Sequence, residues 1–138
     1  DSFILRFSNL LNFVPFVFPL ACHDSKFAPI FVDELSDFVV KSINESKSFN
    51  KQYNLCGPKI YSLKEILEIV IKEKNRNIKV IPLSKTMSKI QASIMEFVPG
   101  KPFSIDNFNS CQIDSICKSD HDFYSDLETI IPTYIKPN

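Results

Sequence analysis

Glycine is almost missing from this chain: Gly57 and Gly100 are the only two in 138 residues. A Gly-rich phosphate loop needs several glycines close together, so no self-contained nucleotide site of that type can be written here. Arginine is nearly as scarce, with Arg6 and Arg76 beside fourteen lysines. Sixteen basic residues balance sixteen acidic ones, and the pI is about 6.9. Without a basic excess, neither nucleic acid nor an anionic membrane is expected as a partner. Heavy use of Lys, Asn, Ile and Phe reads as an A+T-rich coding bias, so single Lys and Asn positions carry less information. Long apolar runs are absent too. Residues 10–20 are apolar but are interrupted by Pro15 and Pro19, and a bilayer needs about 20 residues, so no transmembrane segment is expected. There is no G-x-S-x-G elbow, and His23 and His121 are the only histidines, which argues against a hydrolase.

The four cysteines, Cys22, Cys56, Cys111 and Cys117, form no C-x-x-C. Cys111, Cys117 and His121 are three loosely spaced donors, one short of a structural zinc set. They read as buried thiols of a cytosolic protein, and no metal is expected.

What is present is globular: 44% hydrophobic, 12% aromatic and 23% charged residues, enough for one domain with a core of its own. The sequence starts at Asp1 rather than Met, and the expectation is a processed product or a piece of something longer. Pro19-Leu20-Ala21-Cys22 faintly resembles a lipoprotein cleavage box. The segment before it begins with an acid and is broken by proline, so no signal peptide is expected.

Periodicity orders the rest. Phe3, Phe7, Leu10, Leu11 and Val14 recur at helical spacing over residues 2–14, with Pro15 as the stop. Residues 16–19 read as an apolar linker. Residues 27–32 read as a strand, with Pro29 at an edge. Asp33 then caps a helix through Asn44 with the stripe Leu35, Phe38, Val39 and Ile43, and with Asp37 and Lys41 one turn apart. Residues 53–56 read as a brief strand stopped by Gly57-Pro58. Ser62 and Glu65 form a capping box for a helix burying Leu63, Ile66, Leu67 and Val70, with Glu68 and Lys72 paired outside. Residues 78–82 alternate as a strand. Ser84 or Thr86 opens a helix with Met87, Ile90, Ile94 and Phe97 on one face. Residues 99–102 break the chain, and Ser104 caps a short helix carrying Ile105 and Phe108. Ser125 and Glu128 read as a second capping box, for a final helix that Pro132 closes. The alternation predicts an α/β unit with partly parallel strands. Three short strands make too small a sheet, a hint that strand partners lie elsewhere.

Little chemistry is visible in these residues. Asp120-His121-Asp122 could suggest a metal or an acid–base cluster, but adjacent residues point to different sides and such triplets are mostly solvated turns. No catalytic residue is assigned.

The ordered segments resemble the carboxy-terminal half of an extended or atypical short-chain dehydrogenase/reductase. This is the NAD-dependent epimerase/dehydratase superfamily, and the likeness is to bacterial relatives of the nucleotide-binding accessory subunit of respiratory complex I. Residues 1–7 resemble the helix start after a late Rossmann strand. Residues 27–35 (FAPIFVDEL) resemble the family's Phe-x-Pro-Val-Tyr-Val-x-Asp-Val stretch, and residues 53–62 (YNLCGPKIYS) its Tyr-x-Leu-Gly-Gly-Pro-x-x-Tyr-Thr segment. The helix over 63–74, the strand over 78–82 and residues 130–135 follow in the family's order. Cys22-His23-Asp24-Ser25 replaces a Gly-rich turn, and Cys56 stands where Gly is usual. Lys26 sits where relatives often have Arg, a position that can approach an anionic substrate, with His23 in the same loop.

The resemblance implies a carboxy-terminal portion of a Rossmann-like NAD(P)-binding fold with an incomplete sheet, residues 1–138 being the substrate-side lobe and the last sheet edge. The family's Gly-rich fingerprint precedes this region, and no tyrosine here has a lysine four positions on, so the Tyr-x-x-x-Lys catalytic pair is missing. It follows that NAD(P) belongs to the full-length family, and no cofactor is expected to bind this chain alone. The partners implied are an amino-terminal Rossmann half and, in an accessory role, complex I subunits. The implied location is cytoplasmic, at most peripheral to the inner membrane.

Overall fold

The computed structural model describes residues 2–99, 102–122 and 125–135; the side chains of Ser2, Phe3 and Tyr134 lie outside that description. The chain begins with helix α1 (Ser2–Asn12), which buries Leu11 and Ser8 and packs on helix α3 (Leu63–Glu73). Helix α3 carries the centre of the core. Ser62 accepts from the Glu65 backbone N–H at 3.2 Å, and Glu65 accepts from the Ser62 backbone N–H at 2.7 Å, so the expected capping box forms. Leu63, Ile66, Leu67, Val70 and Ile71 are buried. Lys74, also buried, donates to Ser8 Oγ at 3.3 Å and ties the end of α3 to α1. On the outer face Glu68 pairs with Lys64 at 3.6 Å, rather than with Lys72 as its spacing suggested.

The segment expected as a linker is a strand. β1 (Val17–Leu20) runs parallel to β4 (Lys79–Pro82), from Val17 opposite Lys79 to Leu20 opposite Pro82. Burial alternates along β1, with Val17 and Pro19 exposed and Phe18 and Leu20 turned inward. Proline does not break this strand because one edge of β1 has no partner strand among the described residues, so a missing N–H on that side costs no ladder bond.

Two expected strands shrink. Of residues 27–32 only Phe27 lies in a strand, β2 (Lys26–Phe27). It is antiparallel to β3 (Tyr61–Ser62) and bridged on its other side by Ser115. Pro29 cannot donate, and the ladder stops before it. Helix α2 (Val32–Asn44) therefore starts two residues early, with Phe31 rather than Asp33 at its cap, and Asp33 and Glu34 fall in the first turn, where they complement the helix dipole. Residues 53–56 form no strand, because their partner is another irregular segment. Asn54 donates to the Asp120 carboxylate at 2.7 Å and accepts from the Asp120 N–H at 3.0 Å.

Helix α4 (Lys85–Met95) is capped by Ser84, which accepts from the Met87 N–H at 3.3 Å. Its orientation corrects the expected one. Ser88 and Ala92 face inward, while Met87, Ile90 and Ile94 are exposed and Phe97, just beyond the helix, is 90% exposed. Small side chains let the helix approach the chain after β1, where Ser88 Oγ accepts the Cys22 N–H at 3.3 Å. Helix α5 (Ile105–Ser110) has its own capping box, between Ser104 and Asn107, and buries Phe108. Helix α6 (Leu127–Tyr134) is capped by Asp126, not Ser125, and continues through Pro132. The Ser125 N–H is taken by Glu34, and the Asp126 carboxylate accepts from the Tyr61 hydroxyl and faces Lys59 at 3.7 Å.

The result is a mixed α/β fold with six α-helices and small, incomplete sheets among the described residues. Its centre is Leu11, Leu67, Val70, Ala92 and Ile131. Neither β1 nor β4 has a second strand beside it among the described residues.

Candidate functional site

The loop between β1 and β2 is held on several sides. The chain bends at Cys22, whose φ of 52° lies in the left-handed region, and the Ser25 N–H returns to the Cys22 carbonyl at 3.1 Å. Ser25 and His23 carbonyls accept the first N–H groups of α3, from Leu63 at 2.9 Å and Lys64 at 3.1 Å. Ser25 Oγ donates to the Cys111 carbonyl at the end of α5 at 2.7 Å. The Lys26 N–H donates to Asp114 at 3.0 Å, and its carbonyl accepts from Ser115 at 2.8 Å. A loop without glycine is thereby fixed by three helices, and a cleft of about 450 Å³ opens between it, the start of α4 and the end of α5.

Both residues singled out in the sequence, His23 and Lys26, line this cleft together with Asp24, Lys85 and Asp114. Lys26 is exposed; His23 is half-buried, and its Nδ1 is buried with no hydrogen-bond partner among the described residues. Sequence reasoning missed Lys85 and the thiols Cys22 and Cys111, all of which line the same cleft. Cys22 is pushed up to about 12 by burial, then by Cys111, with Asp24 adding and Lys85 opposing. Burial also raises Cys111, against hydrogen bonds from Cys22 and Ser25. Neither thiol is a ready nucleophile at neutral pH. Two cations, two carboxylates and one imidazole can orient a polar ligand, but they make no nucleophile–base pair.

Cys56 and Cys117 are joined in a disulfide, with Cα atoms 6.0 Å apart, which corrects the expectation that all four cysteines are thiols. Nothing in their spacing pointed to it, since 61 positions separate them. The Asp120-His121-Asp122 triplet belongs to the same structural clasp. The His121 ring packs on Phe38 at 4.4 Å and on Tyr53 at 5.4 Å, while Asp120 holds Asn54. No group of three His, Cys, Asp or Glu side chains is placed to hold a metal among the described residues. A separate cavity of about 300 Å³, between Ile4, Phe27, Pro29, Phe31, Ile66 and Ile131, is apolar.

The parallel β1–β4 pair, with its crossover through helices, defines an α/β unit consistent with part of a Rossmann-like fold. No family model matches the chain. It is similar to NADH dehydrogenase (ubiquinone) 1 alpha subcomplex subunit 9, a mitochondrial protein of Arabidopsis thaliana, at 25% identity over 122 residues. That match covers 81% of this chain and 30% of the plant protein, so the chain spans less than a third of that relative's length. No helix among the described residues is long and apolar enough to cross a membrane.

Proposed function

We propose that this chain is the substrate-side lobe and last sheet edge of a short-chain dehydrogenase-like protein of the NAD-dependent epimerase/dehydratase superfamily, allied to complex I accessory subunits. Residues 1–138 act as one domain. The grip on NAD(P) resides in a glycine-rich Rossmann half not contained in these residues, and the chain alone neither binds the cofactor nor turns over a substrate. The observation that carries this reading is the bare parallel pair: β1 and β4 are matched to each other and to no further strand among the described residues. A parallel sheet normally has more strands and is covered on both faces. The similarity to one part of a much longer subunit supports the same reading. Under it, the protein works on the cytoplasmic side, at most peripherally at the inner membrane.

Within that lobe, Lys26 and His23, joined by Lys85, meet an anionic group of the ligand at the cleft. An NMR titration of the His23 ring with inorganic phosphate checks this. A saturable shift that Lys26→Ala weakens supports the assignment; an unmoved ring removes it. The larger proposal is tested on the coding sequence upstream of Asp1. A G-x-G-x-x-G fingerprint and a Tyr-x-x-x-Lys pair, in frame or in the adjacent frame, support it; an unrelated gene there overturns it.

A second reading, an accessory subunit with no substrate, is favoured by apolar residues left on the surface: Phe13 is 85% exposed and Phe16 76%. These are better probes than Phe7, which packs on Phe18 at 6.3 Å, or Phe3, whose side chain is outside the described residues. Co-purification with respiratory subunits that Phe13→Ser and Phe16→Ser abolish would favour this reading over a substrate-binding one.

A further inference from the structure

We propose that residues 112–122 are a redox-released strap: the Cys56–Cys117 disulfide holds them along the polar cleft and the apolar cavity, and reduction frees them to uncover both. This stands independently of the functional reading above. The strap borders both openings, since Asp114 lines the cleft beside His23 and Lys26 and Ser115 lines the apolar cavity. Two polar anchors hold it. At one, the Ser115 N–H donates to the Lys26 carbonyl at 2.8 Å, the Ser115 carbonyl accepts from the Ala28 N–H at 3.0 Å, and Asp114 accepts from the Lys26 N–H at 3.0 Å. At the other, Asp120 exchanges two hydrogen bonds with Asn54, at 2.7 and 3.0 Å, and the His121 ring rests on Phe38 and Tyr53. Cys117 lies between these anchors, bridged to Cys56 with the Cα atoms 6.0 Å apart, an ordinary span for a disulfide.

None of residues 112–122 is buried, and even Ile113 and Ile116 are exposed. The strap adds no side chain to the core, so its departure leaves no cavity there. Water can replace its hydrogen bonds, and segments of this kind open locally at little cost. The covalent tie is what keeps both anchors engaged, because it holds them at high effective concentration. Its two ends differ. Cys56 is 7% exposed and sits on the fixed side, where the next N–H, from Gly57, is bonded to the Ala28 carbonyl at 3.1 Å. Cys117 is half-buried and is the sulfur that a small thiol reaches first. With glutathione as reductant, one glutathione thiolate attacks the Cys117 sulfur and expels the Cys56 thiolate, which takes a proton from solvent. A second glutathione thiolate attacks the glutathione sulfur of the mixed disulfide and releases Cys117, which is protonated in turn. One protein disulfide is reduced to two thiols, and two glutathiones are oxidised to one glutathione disulfide.

The test uses the native chain, purified without reductant, before and after excess reduced glutathione under non-denaturing conditions. Thiol mapping by mass spectrometry follows the bridge, and amide hydrogen exchange follows the strap; Cys22 and Cys111 are thiols throughout, so reduction changes one link. After reduction Cys56 and Cys117 should appear as thiols. The amides of Ser115 and Asp120 should lose protection, together with those of Lys26 and Ala28, which the strap covers. The amides of Leu67 and Val70 in α3 should stay protected. The His121 ring signals in the NMR spectrum should move towards those of a free histidine as the ring leaves Phe38 and Tyr53. Cys117→Ser should reproduce these changes without reductant. No bridge before reduction, a bridge that resists excess glutathione, a strap that stays protected once reduced, or α3 losing protection together with the strap would each overturn the proposal. Reduction of the native chain needs no variant, so a misfolded Cys117→Ser protein would not shield the idea.

Discussion

At Gly57 and Tyr61 single side chains decide how the segments around the core are joined. The Gly57 N–H donates to the Ala28 carbonyl at 3.1 Å, and a methyl group on Gly57 would run into the Pro29 carbonyl oxygen, deep inside van der Waals contact. Backbone lies on both sides, so nothing flexible can give way. Gly57→Ala should destabilise the chain by more than about 2 kcal/mol in urea unfolding, through overpacking and a lost hydrogen bond. Tyr61 is the second such position. It is buried, donates to Asp126 and lies under Lys59, whose ammonium is 4.9 Å from the ring centre and 3.0 Å from Glu128. Burial first, then Asp126, raises the phenol from its ordinary 10.0 to about 12. The folded state therefore holds the proton more tightly than the unfolded chain. Its contribution is complete below pH 10 and is lost as pH rises towards 12. Tyr61→Phe should flatten that alkaline fall in melting temperature, measured against the native chain.

Among the elements, the most legible were those whose signal is local. The Ser62–Glu65 box and the apolar spacing of α3 name a helix by themselves, and Ser84 and Ser104 announced theirs. Ser62→Ala should cost about 1 kcal/mol in chemical unfolding. The Glu65 carboxyl is held below its ordinary range by hydrogen bonds from Ser62, backbone first. The stability it adds is present above the usual carboxylate range and lost as pH falls through its lowered value, so Glu65→Gln should blunt acid sensitivity. Elements decided by distant partners were not legible. β1 reads as a linker because Pro19 hides a strand whose one partner among the described residues, β4, begins at Lys79, 59 positions after Leu20. Residues 53–56 looked like a strand although their partner is the irregular segment at Asp120. For α4, the aliphatic stripe outweighed Ser88 and Ala92 on paper, but close approach to the loop after β1 reverses that order. Ile94→Glu should then change stability by less than about 0.5 kcal/mol, whereas Ala92→Leu should cost about 1–3 kcal/mol. Thermal or urea unfolding of the two variants distinguishes the orientations.

For the whole molecule, an α/β unit with too few strands could be read from the order of segments, and the structure has that form. His23 and Lys26 could be put in one loop from sequence. Their meeting with Lys85 and Cys111 could not, because the cleft is assembled by Ser88, Ser25 and Asp114 across 66 to 88 positions. The Cys56–Cys117 link and the His121 clasp were hidden for the same reason. The central claim is that the nucleotide grip lies outside these residues, and the most direct measurement is a nicotinamide-nucleotide titration of the isolated chain by calorimetry or cofactor fluorescence. The account predicts no saturable binding of NADH or NADPH; saturable binding with micromolar affinity would contradict it.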